Sequence, residues 1–138
     1  MRSNDTLLKL RRFEVNEKQQ KVIEIETMIA DFQRMIDDLS HQIEVEEETS
    51  RIRDVNHFSY PPYAKAARKR RENLRSSIES LEAKAKDARA DLGEAQEELR
   101  KTEMLEERSH LDHDRSPAKP HGRESLAMSA SHLFNSRA

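Results

Sequence analysis

Cysteine and tryptophan are absent from this chain of 138 residues, glycine occurs twice, proline four times, and aromatic side chains make up only 4%. Without cysteine the chain forms neither disulfides nor thiolate metal sites, which suits a reducing cytoplasm. With 34% hydrophobic and 38% charged residues it is too polar to wrap a thick globular core. No stretch approaches the roughly 18 to 20 apolar residues of a membrane-spanning helix. The opening Met1-Arg2-Ser3-Asn4-Asp5 leads into a charged segment with no apolar signal core. The expectation is a soluble chain that is not secreted by a cleavable signal. The near balance of 25 basic and 27 acidic residues argues neither for nor against nucleic acid.

What the chain does have is helical periodicity. Leu8, Val15, Val22, Ile29, Ile36 and Ile43 stand seven apart without a break, the mark of one long helix carrying an apolar seam. With these at heptad position a, Ile25, Phe32 and Leu39 fill d in the later half. Arg11 and Lys18 hold d in the earlier half, where Leu7, Leu10 and Phe13 fall off the seam. Ser3 to Asp5 offer capping oxygens for the first turn.

The pattern breaks across Asp54-Val-Asn-His-Phe-Ser-Tyr-Pro-Pro62, where tandem prolines stop the helix. A second periodic run follows through Leu74, Ile78, Leu81, Ala85, Ala88, Leu92, Ala95 and Leu99, in steps of four and three. Neither seam can bury its stripe alone, so the expected fold is all-α: a long antiparallel two-helix coiled-coil hairpin over residues 1–113. The helices are expected at about 4–53 and 63–112, with the hinge at 54–62 and a disordered C-terminal tail over 114–138. Within that tail Leu126, Leu133 and Phe134 could line one helical face on binding a partner.

Charge gives a second argument for the hairpin. Asp37, Asp38, Glu44, Glu46, Glu47 and Glu48 close the first helix, while Lys65, Arg68, Lys69, Arg70, Arg71 and Arg75 open the second. Each block sits at the unfavourable end of its own helix dipole. Folded back, the blocks become neighbours and set the antiparallel register. Lys65 to Arg75, beside Tyr60 and Tyr63, also resembles a nucleic-acid stripe, but the acidic block competes for it, and no nucleic acid is expected as a partner. The alanines in the second seam make it thin, so either the helices approach closely or a third surface completes the core.

Chemical constellations are nearly absent. There is no phosphate loop, nucleophile elbow or paired-cysteine pattern. His110 and His113, with Asp112 and Asp114, form the best metal pattern, yet solvated helix ends commonly carry such residues. The carboxylates fit a solvated face better than an acid/base pair in a cleft. No enzyme activity, cofactor or metal is expected. In a hairpin folded near residue 58, positions adding to about 116 face one another, which gathers Leu7, Leu8, Leu10 and Phe13 beside Met104, Leu105 and Leu111 at the open end. They form either an end layer that staples the termini or a docking surface for another protein. Met28 and Met35, seven apart on one flank, read as a widened core stripe.

Several segments resemble a known family: Ser3-Asn-Asp-Thr-Leu-Leu-Lys-Leu10, Met28-Ile-Ala-Asp-Phe-Gln-Arg-Met35, His57-Phe-Ser-Tyr-Pro-Pro-Tyr-Ala-Lys-Ala-Ala-Arg68 and Leu92-Gly-Glu-Ala95. They look like the alphaproteobacterial branch of the flagellar FliJ family over about residues 3–112, with the Phe-Ser-Tyr-Pro-Pro-Tyr hinge the most distinctive. The resemblance implies a cytoplasmic coiled-coil part of the flagellar type III export apparatus, at the cytoplasmic face of the inner membrane when assembled. It implies a stalk-like, chaperone-like adaptor between the hexameric export ATPase, the membrane export gate protein and export chaperones, with peripheral membrane association only through those partners. By the stalk analogy the ATPase contact falls on Leu7, Leu10, Phe13, Met104 and Leu105, and the hinge is Phe58, Tyr60, Pro61, Pro62 and Tyr63. The alternative is a structural or regulatory coiled coil, unrelated to export, that homodimerises through its alanine face.

Overall fold

A computed structural model describes the backbone of residues 2–114 and the side chains of residues 4–112. It contains two long helices, α1 (Arg2–Ser50) and α2 (Pro62–Asp114), with no strand among the described residues. The fold is all-α, an antiparallel helical hairpin. The tail expected beyond α2 lies outside the described residues. By compactness the chain divides into two units, one of residues 22–87 and one whose described part is residues 2–21 with 88–114.

In the unit of residues 22–87, Val22, Ile25, Ile36 and Ile43 of α1 are buried against Ala64, Ala67, Leu81 and Ala85 of α2. Phe32, Leu39, Leu74 and Ile78 complete the seam half-buried. Ala64 and Ala85 have no exposure at all, so both are covered within the chain itself. In the other unit Ala88, Leu99 and Thr102 are buried, with Leu8, Val15, Leu92 and Ala95 half-buried. The α2 seam steps by three and four from Ala64 to Ser109. It takes in Arg71, Thr102 and Glu106, which an apolar pattern does not flag.

Arg11, at a d position, is half-buried: its stem lies in the seam while Nη1 donates to Glu14 at 3.1 Å and Nη2 stands 3.9 Å from Glu98. Lys18, at the next d position, is exposed beside Glu14, Glu17, Asp91, Glu94 and Glu98. Arg11 therefore substitutes local ion pairing for apolar burial.

Register differs from the expectation. Arg11 meets Glu98 and Arg71 meets Ser40, numbers that add to 109 and 111, so facing positions add to about 110 and not 116. Both helix boundaries contribute, since α1 stops at Ser50 instead of 53 and α2 starts at Pro62 instead of 63. Arg51 has φ 62°, the left-handed conformation that ends a helix, at a position usually given to glycine. At the other boundary the Pro61 carbonyl accepts from the Lys65 N–H at 3.0 Å, so Pro61 caps α2 and Pro62 is its first residue. Proline suits that place because its missing N–H would be unpaired there anyway. Pro62 and Tyr63 therefore belong to α2 and not to the hinge, which spans 51–61.

Candidate functional site

The connection is built by short-range hydrogen bonds. The Asn56 N–H donates to Asp54 Oδ1 at 2.9 Å and the His57 N–H to the Asp54 carbonyl at 3.0 Å, an Asx turn within a β-turn. The Ser59 N–H donates to His57 Nδ1 at 2.9 Å, and the Tyr60 N–H to the His57 carbonyl at 3.0 Å. These bonds fix the path of the chain from 54 to 60. Phe58, at the middle of this path, is 95% exposed with its ring stacked on His57 at 4.8 Å.

Tyr60 and Pro61 turn the other way and are buried. The Tyr60 hydroxyl donates to Glu47 Oε2 at 2.7 Å. Arg68 donates Nη2 to the same carboxylate oxygen at 2.9 Å and Nε to the Tyr60 oxygen at 2.8 Å. Arg53 reaches Glu47 Oε1 at 3.5 Å. Hydrogen bonds from Tyr60 and then Arg68 hold the Glu47 carboxyl below the usual carboxylate range, against the opposing effect of burial. Burial, then the bond to Glu47, pushes the Tyr60 hydroxyl up. Glu47, Tyr60 and Arg68 thus form one closed latch between the end of α1, the connection and the start of α2.

This latch narrows the charge argument to a single carboxylate. Arg71 bonds Ser40 rather than an acid, and Lys65, Lys69, Arg70 and Arg75 make no ion pair among the described residues. Register at this end is set by that buried cluster together with the bond from Arg71 to Ser40. Tyr60, once a stacking candidate, is sequestered in the latch. Tyr63 is exposed and donates its hydroxyl to Gln42 at 3.1 Å, beside a groove of about 340 Å³ lined by Met35, Leu39, Ala67 and Arg70. Met28 and Met35 are 44% and 43% exposed, and of the two Met35 lines this groove.

The ATPase-contact candidates divide by burial. Leu7 and Met104 are half-buried, as are Leu8 and Leu111. Leu10, Phe13 and Leu105 are exposed at 47%, 58% and 51%. Leu10 and Phe13, three apart on α1, share a helix face. The corrected register places Leu105 opposite the neighbourhood of Asn4, about six residues or roughly 9 Å along α1 from Leu10. The structure therefore does not set Leu105 beside Leu10, because the expected register was too high by about six.

Among the described residues no group of three or more acidic or histidine side chains could hold a metal ion, and the His113 side chain lies outside them. No described helix is long and apolar enough to cross a membrane. No protein-family model, curated protein or solved structure matches the chain.

Proposed function

We propose that the chain is a non-enzymatic component of the flagellar type III export apparatus, an adaptor working between the hexameric export ATPase, the membrane export gate protein and export chaperones at the cytoplasmic face of the inner membrane. The observation that carries this reading is the exposed pair Leu10 and Phe13 on α1, in the unit that holds the chain's first helical turns. Two large apolar side chains on one face have the composition of a contact surface. The resemblance of the hinge segment and the first turns to the FliJ family gives that surface its partner.

The contrasting homodimer needed an open alanine face. Of that face, Ala85 and Ala88 are buried within the single chain and Ala95 is half-buried, which speaks against that reading. The test is capture of the purified chain by the hexameric export ATPase. The unmodified chain is expected to be retained, and Leu10→Glu with Phe13→Glu to be lost at unchanged helicity. Failure of the unmodified chain to bind, or undiminished binding by the double variant, overturns the assignment.

A further inference from the structure

The most exposed large apolar side chain among the described residues is Phe58. It is displayed on a path fixed by four hydrogen bonds, so the ring is presented and does not merely hang in solvent. Its neighbours in sequence and on the first turns of α2 are cationic: Arg51, Arg53, Lys65 and Lys69 are all exposed. Arg51, Lys65 and Lys69 have no partner among the described residues, and Arg53 reaches only Glu47. Among the acids nearby, Glu47 is buried beneath Arg68 and Asp54 accepts the Asn56 N–H, while Glu44, Glu46 and Glu48 stand on α1 at about the level of Lys65 and Lys69. The connection and the first turns of α2, residues 51–70, carry six basic side chains against the one acid Asp54.

We infer that the connection around Phe58 is a contact site for an anionic lipid surface, with the ring entering the boundary between headgroups and acyl chains and Arg51, Arg53, Lys65 and Lys69 meeting lipid phosphates. An exposed ring among unpaired cations is the chemistry that such an interface recognises. Single-stranded nucleic acid fits less well, because His57 already covers one face of the ring and no row of aromatics continues from it. The inference stands whether or not the chain serves in export. It departs from the expectation that membrane association comes only through partners.

The absence of tryptophan supplies a clean probe, since Phe58→Trp in the full chain places a single indole at the site. Its ring is so exposed that the exchange leaves the packing untouched, which circular dichroism checks. On adding vesicles of phosphatidylcholine with phosphatidylglycerol, the emission is expected to shift to the blue and to be quenched by brominated acyl chains. Vesicles of phosphatidylcholine alone should leave it unchanged. Adding Lys65→Glu and Lys69→Glu should weaken the response at least about fivefold, in line with the cost of removing basic residues near an anionic surface. Phe13→Trp, which reports the proposed ATPase surface, should stay silent. An unchanged Phe58→Trp signal, an equal response to uncharged vesicles, an equal response from Phe13→Trp, or a shift with oligo(dT) but not with lipid each overturns the inference.

Discussion

Replacing Glu47 by Gln removes one charge and almost no volume from the most buried polar cluster of the hairpin. The carboxylate accepts from the Tyr60 hydroxyl at 2.7 Å and from Arg68 at 2.9 Å, with Arg53 more distant at 3.5 Å. Hydrogen bonds to a charged group contribute about 1.5 to 3 kcal/mol each, against about 0.5 to 1.5 for neutral ones. The amide can keep both close bonds in neutral form, so about 1 kcal/mol is lost on each. Arg68, left without its counter-ion, is about a third exposed and recovers some hydration, which keeps the loss near 2 kcal/mol and below that of a fully buried pair. In urea unfolding followed by circular dichroism at 222 nm, that corresponds to a midpoint about 1 M lower. Glu48→Gln is the matched control, because Glu48 is exposed and has no role in the latch. It should move stability by less than about 0.5 kcal/mol. If the two variants behave alike, the acidic block acts as a diffuse field and the latch argument is wrong.

The pH dependence follows from the same three residues. The Glu47 carboxyl is held low in the folded chain, so its contribution is complete above about pH 4.5, its unfolded value, and is lost as pH falls through the lower folded value. The Tyr60 hydroxyl is held high, so the unfolded chain ionises first and stability declines as pH rises past about 10. The stability gap between the unmodified chain and Glu47→Gln should close on acidification, and the gap to Tyr60→Phe should close in alkali. Arg51→Gly relieves a left-handed non-glycine residue, and after the extra entropy of unfolded glycine it should stabilise the hairpin by about 0.5 to 1 kcal/mol, raising the urea midpoint. Gly93→Ala should stabilise it by a similar amount, because Gly93 lies inside α2 and an added Cβ meets nothing within 4 Å.

Periodicity made the two helices and their antiparallel pairing legible, since a seven-residue step over so many turns has few other uses. The alanines were legible as a thin seam, in which Ala85 and Ala88 are buried and Ala95 is half-buried. The end of α1 was hidden because its signal is a backbone conformation on Arg51, where composition normally offers glycine or asparagine as the warning. That displacement contributed to the changed register, which places Leu105 away from Leu10. Glu47 was hidden by its company, one acid among six near the helix end, because what distinguishes it is the Tyr60 side chain that the connection folds over it. Phe58 read as one of several hinge aromatics. Its opposite fate to Tyr60, two residues away, depends on the turns from 54 to 60, and only the folded connection reveals it.

Hydrogen exchange of the full chain, with and without saturating hexameric export ATPase, tests the functional account most directly. The account expects slowed exchange over residues 4–16, where Leu10 and Phe13 stand exposed, with peptides from 51–61 unchanged by the ATPase. Slowing confined to the connection, or no change anywhere at saturation, would contradict it.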